Sequence, residues 1–134
     1  MKIAKKMADI PVSDEIYIFG AGRGGQIMFD QLKATPGAKV LGFIDNNKQG
    51  TLKGLPILSF QDFLAVRTEN AQVVIASMFG HEMAAQLRRN GIMSFCNAYP
   101  IVAQEVERGG KRGRLVTAAA IVAVIVGAAV LLLR

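Results

Sequence analysis

Residues 16–25 read Ile-Tyr-Ile-Phe-Gly-Ala-Gly-Arg-Gly-Gly, a short apolar run that stops at a cluster of glycines. Isoleucine, tyrosine and phenylalanine are typical of β-strands, and glycine allows the tight turns that end them. Residues 23–34 then carry apolar side chains at Ile27, Met28 and Leu32, which is a helical spacing. This stretch therefore predicts a strand, a turn and a helix in succession.

The rest of the first hundred residues continues the alternation of strand and helix. Further strands are predicted at residues 39–44, 54–58, 71–76 and 92–97, and helices at residues 61–64 and 80–90. Pro56 lacks a backbone N–H and suits an edge strand. Right-handed crossovers then predict an α/β fold, a doubly wound parallel sheet of about five strands in the order 3-2-1-4-5. Its ligand crevice would lie outside the carboxyl ends of strands 1 and 4.

The glycines after the first strand fit the pattern G-x-G-x-x-G between a strand and a helix. Gly20 permits the tight turn, Gly22 lets the backbone approach a pyrophosphate, and Gly25 lets the helix pack closely on the sheet. Arg23 and Gly24 belong to the same loop, and Arg23 either pairs with phosphate or extends into solvent. Amides at the start of the helix, together with the helix dipole, favour an anion there.

Asp45 follows the second predicted strand, 20 residues after Gly25. A carboxylate at this place accepts hydrogen bonds from ribose hydroxyls, and its charge disfavours a 2′-phosphate. Loop and carboxylate together predict that the chain binds a nucleotide or dinucleotide, with NAD or a nucleotide sugar as the cofactor. The alternative is structural: the glycines make only a tight turn, and Asp45 only caps one.

Two further polar residues lie just past the fourth predicted strand and therefore near the predicted crevice. Ser77 either contacts a ligand or simply ends the strand. His81 is the only histidine; beside Glu82 at a helix start it is the one weak candidate for a catalytic base, and an exposed helix-start residue is the preferred interpretation. A single histidine without clustered carboxylates argues against a metal site.

Residues 16–99 resemble the Rossmann-like nucleotide-binding domain of bacterial polysaccharide-biosynthesis proteins. The similarity lies in Ile-Phe-Gly-Ala-Gly-Arg-Gly-Gly, Val-Leu-Gly-Phe-Ile-Asp-Asn-Asn, Gly-Leu-Pro-Ile-Leu and Val-Val-Ile-Ala-Ser. Relatives of this kind are the N-terminal domains of membrane-bound sugar-nucleotide dehydratases and epimerases, and of left-handed β-helix sugar acetyltransferases. The resemblance implies the same fold and a nucleotide, sugar nucleotide or dinucleotide held by residues 20–25 and Asp45. In those families a separate catalytic domain accompanies this one, and no such domain is found here.

Catalytic motifs are not evident in the sequence. The Tyr-x-x-x-Lys pair of short-chain reductases is missing, since Ala21 and Ala103 stand four residues after the two tyrosines. Neither a phosphate-binding loop for ATP hydrolysis nor a nucleophile elbow occurs. We therefore expect a binding module without chemistry of its own. The alternatives are an enzyme subunit completed by a partner, and a ligand-free scaffold that docks a partner at a membrane.

Residues 115–133 are nineteen uncharged, mostly aliphatic residues. As a helix they would be roughly 28 Å long, close to the hydrocarbon thickness of a bilayer. Residues 108–114 before them carry four positive charges, which are typical of the cytoplasmic side of a span. The sequence thus predicts a domain at 1–104, a basic linker at 105–114 and one C-terminal transmembrane helix at 115–133, with the domain in the cytoplasm. Small residues at Ala119, Ala123 and Gly127 permit pairing of two such helices.

Half of the overall charge of +6 belongs to residues 105–134, which are far fewer than the residues that hold the other half. Residues 1–104 hold 11 basic and 8 acidic residues, a net charge of +3. With only 7% aromatic residues and no tryptophan, the composition also lacks the stacking side chains of single-strand nucleic-acid binders. We therefore expect the partners to be a nucleotide, lipid and a membrane protein or second copy, and not nucleic acid. The single cysteine, Cys96, excludes an internal disulfide.

Overall fold

The computed structural model describes residues 1–109 of the 134-residue chain. These residues form a mixed α/β structure, and Met1–Val102 make up one compact unit. The strands are β1 (Ile16–Phe19), β2 (Val40–Ile44), β3 (Gly50–Leu52), β4 (Leu55–Leu58), β5 (Gln72–Ile75) and β6 (Phe95–Asn97). The helices are α1 (Arg23–Lys33), α2 (Phe60–Val66) and α3 (Gly80–Arg89), preceded by a 3-10 turn at Met7–Asp9. Residues 99–109 are also helical.

The six strands form one sheet in the order β3-β4-β2-β1-β5-β6. All neighbours are parallel except β3 and β4, which are antiparallel. The five strands predicted from the sequence correspond to β1, β2, β4, β5 and β6, so their predicted order is confirmed. The predicted number of strands is wrong by one, because β3 adds to the outer side of β4. For the same reason Pro56 does not lie on an edge strand.

Strands β3 and β4 are joined by the two residues Lys53 and Gly54. Both have positive φ angles, 55° and 78°, as in the type I′ turns whose twist suits a hairpin. Lys53 is the one non-glycine residue with a positive φ among residues 1–109. This hairpin could not be read from the usual turn signals, because lysine stands where asparagine or aspartate is preferred.

Helices cover both faces of the sheet. On one face α2 and α3 pack on a cluster that includes Tyr17, Phe19 and Val73, and the rings of Tyr17 and Phe63 meet edge to face at 5.0 Å. On the other face α1 contacts β1 and β2, with the ring of Phe29 6.0 Å from that of Phe43. Burial on both faces explains why the strands are apolar at successive positions rather than alternately.

The predicted helices are present with small changes in their limits. α2 extends beyond the expected 61–64 and begins at Phe60, directly after the N-cap Ser59, whose hydroxyl oxygen accepts a hydrogen bond from the amide of Asp62 at 3.1 Å. α3 is followed by Gly91 with a φ of 73°, a conformation that commonly ends helices. β6 is shorter than the predicted 92–97 strand, and residues 92–94 precede it without regular structure.

The C-terminal predictions are only partly within the described residues. Residues 105–109, predicted as linker, are helical, with a hydrogen bond of 2.7 Å from Arg108 to Glu105. No helix within residues 1–109 is long and apolar enough to cross a bilayer. The predicted transmembrane helix at 115–133 and its small-residue face lie outside the described residues.

Candidate functional site

The carboxyl ends of β1, β2 and β5 lie side by side at one end of the sheet. The amide of Gly20 donates to the carbonyl of Ile44 at 2.8 Å, and the amide of Ala76 donates to the carbonyl of Phe19 at 3.0 Å. These bonds extend the sheet just past the strands and bring three loops together. The sequence-predicted residues Gly20–Gly25, Asp45 and Ser77 therefore share one edge of the sheet.

Three of the four loop glycines are required by the fold itself. Gly20 has a φ of 112°, a conformation that other residues rarely adopt. A Cβ at Gly24 would overlap the carbonyl oxygen of Ala76, and a Cβ at Gly25 would overlap that of Gly20. Gly25 thus has the packing role expected from the sequence. Gly24, predicted as a ligand-binding residue, shares that packing role because it lets α1 approach β5.

Gly22 differs from the other loop glycines. It is the N-cap of α1, with φ −91° and ψ −155°, which residues with side chains also adopt. A Cβ there would meet no backbone atom within 4 Å, and the nearest atom is the ammonium nitrogen of Lys48 at 3.7 Å. Neither conformation nor packing demands glycine at this position. The open space in front of Gly22 is therefore available to a ligand.

The first turn of α1 faces this open space with backbone donors. The first bond into the helix joins the amide of Gln26 to the carbonyl of Gly22 at 3.1 Å, so the preceding amides have no intrahelical acceptor. No acidic residue occurs in this turn, and Arg23, at the first position of the helix, is exposed. These donors and the positive end of the helix dipole suit an anion.

Asp45 lies at the end of β2 and accepts three backbone hydrogen bonds. Its Oδ1 accepts the amides of Asn47 and Lys48, each at 2.8 Å, and its Oδ2 accepts the amide of Ala21 at 2.9 Å. The carboxylate therefore caps the turn after β2 and fastens it to the glycine loop. These contacts are the ones expected if Asp45 only caps a turn. Its Oδ2 can still accept one further hydrogen bond.

The electrostatics of Asp45 favour its charged form. Partial burial by itself raises the pKa of this carboxyl, but the amides of Lys48, Ala21 and Asn47 and the charge of Lys48 outweigh burial. The net effect is a pKa below the ordinary aspartate value. Asp45 is consequently ionised at neutral pH and keeps its loop contacts.

Lys48 also lies at this end of the sheet and was not predicted from the sequence. Its amide is held by Asp45, and its ammonium lies over Gly22 at the start of α1. This placement depends on the path of the turn after β2, and no motif marks it. The turn carries a positive charge to the place where the helix amides would meet an anion.

Ser77 and His81 occupy different positions at the end of β5. Ser77 is half-buried beside Gly20, and its hydroxyl oxygen accepts the amide of Phe79 at 3.1 Å. His81 lies on the exposed first turn of α3, next to the exposed Glu82. The structure therefore brings Ser77 to the glycine loop and leaves His81 on the surface, as the preferred interpretation of the sequence expected.

Two apolar side chains beside Ser77 are unusually exposed. Met78 and Phe79 have 69% and 60% of their surfaces accessible, although they follow a buried strand directly. On the same side of the sheet Asn46 and Gln86 exchange two side-chain hydrogen bonds, of 3.0 and 3.2 Å, which tie the turn after β2 to α3. The edge therefore offers apolar as well as polar groups to a ligand.

Other chemistry-bearing residues lie away from this edge or are isolated. Cys96 is buried in β6, and burial raises the pKa of its thiol to about 11, so the thiol is protonated at neutral pH. Within residues 1–109 there is no group of three His, Cys, Asp or Glu side chains that could hold a metal ion.

Part of the chain matches a known protein family. Residues 15–77 match the family model described as the PglD N-terminal domain. The match runs from the start of β1 to Ser77 and so includes the glycine loop and Asp45. It supports the expected similarity to the N-terminal domains of sugar acetyltransferases and links the chain to enzymes of glycan or polysaccharide biosynthesis. No curated protein matches the chain.

Proposed function

We propose that this chain is a nucleotide-binding module of glycan biosynthesis, and that the phosphates of its ligand bind at the start of α1. The observation that carries the proposal is the open position at Gly22. A glycine is kept there although neither φ nor packing requires it, and free amides and Lys48 surround it. A ligand that approaches the backbone explains a glycine that the protein itself does not need.

The charge around the loop supports a phosphate rather than a neutral ligand. Lys48 and Arg23 contribute two cations, and the first turn of α1 contains no carboxylate to compete with an anion. A pyrophosphate would accept hydrogen bonds from the amides and pair with the Lys48 ammonium. The negative Asp45 lies to one side, where it can accept a hydroxyl of the same ligand.

Asp45 keeps the capacity to bind a hydroxyl of the ligand. Three of its acceptor positions are taken by backbone amides, so it can accept about one more hydrogen bond. One ribose hydroxyl satisfies that capacity, and because nucleotide sugars and NAD both carry a ribose diol, Asp45 does not separate the two. The match to the PglD N-terminal domain favours a nucleotide sugar, and NAD is the second candidate.

The remaining parts of the proposal concern location and partners. The apolar residues 115–133 would anchor the chain in a membrane as a single span, and the preceding basic residues would keep the domain in the cytoplasm. A module of this kind would present its nucleotide sugar to a membrane partner protein or a second copy of the chain, without catalysis of its own.

One observation favours a second candidate, a scaffold without ligand. The three hydrogen bonds that Asp45 accepts from backbone amides are sufficient to explain the position of this carboxylate without a ligand. A scaffold of this kind would need no anion in front of Gly22, and its stability would not respond to nucleotides.

Thermal unfolding of the full chain with NAD, NADP, UDP-N-acetylglucosamine, CoA or ATP separates the two candidates. A ligand that binds only the folded state raises the melting temperature by mass action. We expect the UDP-sugar to raise it, and Gly22→Val to remove the rise while lowering the melting temperature of the free protein only slightly, because valine is a poorer N-cap than glycine. Ala34→Val, at the exposed other end of α1, is the matched control. Unchanged melting with all five compounds would favour the scaffold.

A further inference from the structure

A concave site lies at the end of α1 opposite to the glycine loop. It is a pocket of about 240 Å³ between the last turns of α1, the start of β2 and the β3–β4 hairpin. Pockets for drug-sized ligands usually measure about 300–1,000 Å³, so this one suits a smaller molecule. Because β2 runs from this pocket to Asp45, the two sites lie at opposite ends of the sheet.

The pocket combines an apolar wall with three cations. Phe29, Val40 and Leu55 line it and are only half-buried, so they keep apolar surface that nothing covers in this unit. Lys33, Lys39 and Lys53 also line it, and each comes from a different element: α1, the loop before β2, and the hairpin. We call this site the lysine pocket.

Lys53 lies in the β3–β4 hairpin turn and reaches α1 with its side chain. Its φ of 55° belongs to the turn, where asparagine or glycine adopts this conformation more readily than lysine. Its ammonium lies 3.5 Å from the carboxylate of Asp30 on α1, and both side chains are substantially exposed. An ion pair of this kind is weak in water, so a bound anion can replace Asp30 as the partner of Lys53.

We propose that the lysine pocket binds a small organic anion with an apolar body, its carboxylate or phosphate head among the three lysines. The apolar body covers Phe29, Val40 and Leu55, which gains free energy by removing their surface from water. Three lysines line the pocket and one carboxylate, that of Asp30, pairs with Lys53, so the pocket has an excess of positive charge that selects anions over neutral analogues.

Titration calorimetry of the full chain tests the proposal with four probes. The probes are 3-phenylpropanoate and phenyl phosphate, each compared with a neutral analogue, 3-phenylpropanamide and benzyl alcohol. We expect at least one anion to bind at least tenfold more tightly than its neutral analogue, and added salt to weaken the binding. Preference for one of the two anions identifies the head group. Equal binding of the charged and neutral probes, or binding of neither anion, would overturn the proposal.

Variants locate the binding and separate it from effects on folding. Replacing Lys33, Lys39 and Lys53 together by Gln should weaken anion binding at least tenfold, while Arg89→Gln, which removes an exposed charge from the last turn of α3, should leave it unchanged. Asp30→Asn removes the competing carboxylate and should tighten binding about twofold to threefold. A tighter complex cannot result from damage to the fold. Unchanged affinity in the triple variant, or weaker binding in Asp30→Asn, would contradict the placement in the lysine pocket.

Discussion

Helices α1 and α3 both begin at the same end of the sheet, yet they differ in the charge of the first turn and in the space before it. The N-cap of α1 is Gly22, before which there is open space, and the first turn of α1 has no acidic residue. The N-cap of α3 is Phe79, its first turn contains Glu82, and its Gly80 faces the side chain of Asn97. A carboxylate near a helix start already interacts with the dipole. The comparison shows that two helix starts of one sheet can be distinguished by charge and by the space before them.

The largest difference between the two helix starts should appear in stability. Gly25→Ala places a methyl group against the backbone oxygen of Gly20, which cannot move without distorting β1. We expect the free energy of unfolding to fall by about 3 kcal/mol. Gly80→Ala places its methyl group against the side chain of Asn97, whose displacement would weaken the hydrogen bond that its Oδ1 accepts from the Tyr99 amide, so we expect a smaller loss of about 1 kcal/mol. Urea unfolding of the two variants measures the difference, and equal losses would contradict the assignment of Gly25 to backbone packing.

The second difference should appear in binding. Gly22→Val adds a side chain that blocks the approach of a phosphate to the amides of α1. The nucleotide affinity should therefore fall at least tenfold, equivalent to about 1.4 kcal/mol. His81→Ala, on the first turn of α3, should leave affinity unchanged because its side chain lies on the exposed surface of that helix. Calorimetry with the UDP-sugar measures the affinity of each variant. A larger effect at His81 than at Gly22 would move the site to α3.

Asp45 predicts a pH dependence that is specific to the α1 side. Burial by itself raises the pKa of this carboxyl, but the amides of Lys48, Ala21 and Asn47 outweigh it, so the folded-state pKa lies below the ordinary value of about 3.9. The stabilisation by ionised Asp45 is therefore fully present above pH 3.9 and is lost as the pH falls through the folded-state pKa.

Asp45→Asn should reveal that dependence. At pH 7 we expect the variant to be less stable by about 1 kcal/mol, because an amide has one acceptor oxygen where the carboxylate has two. The gap should close as the pH falls below 3.9, where wild-type Asp45 becomes protonated. Urea unfolding of both proteins between pH 7 and pH 2.5 measures this difference in the free energy of unfolding. A gap that stays constant down to pH 2.5 would show that the charge of Asp45 does not stabilise the loop.

The smallest effect should come from Lys48. Its ammonium is exposed, so solvent weakens its attraction to a phosphate. Lys48→Gln should reduce nucleotide affinity about threefold at low salt and less at high salt. Lys33→Gln removes the same charge at the other end of α1 and should have no effect on nucleotide binding. Equal effects of the two changes would indicate that only the overall charge matters.

The sequence predicted the parts of the fold in which local pattern and burial agree. The runs that became β1, β2 and β5 are apolar because helices cover both faces of the sheet, and the glycine pattern marks the turn into α1. β3 was missed because its three residues are mostly exposed and its hairpin turn carries Lys53 in place of asparagine. The helix at 99–109 was also missed, although Pro100 next to its start is a recognised signal.

At the candidate site, the sequence predicted which residues lie together, and their binding of a ligand stays a prediction. Gly22 and Asp45 were selected by spacing, and both lie past the carboxyl ends of the central strands, where the crevice is predicted. The packing role of Gly24 depends on how closely α1 approaches the carbonyl of Ala76, and the place of Lys48 depends on the turn held by Asp45. Contacts of this kind join residues far apart in the sequence, so no local pattern could reveal them.

The most direct test is an amide NMR titration of the full chain with UDP-N-acetylglucosamine. The account predicts that the amide signals of Gly22, Arg23 and Gly24 shift first and most, together with that of Lys48, while those of the first turn of α3 remain in place. Shifts confined to Gly80, His81 and Glu82, or none at all at saturating ligand, would contradict the claim that the start of α1 is the nucleotide site.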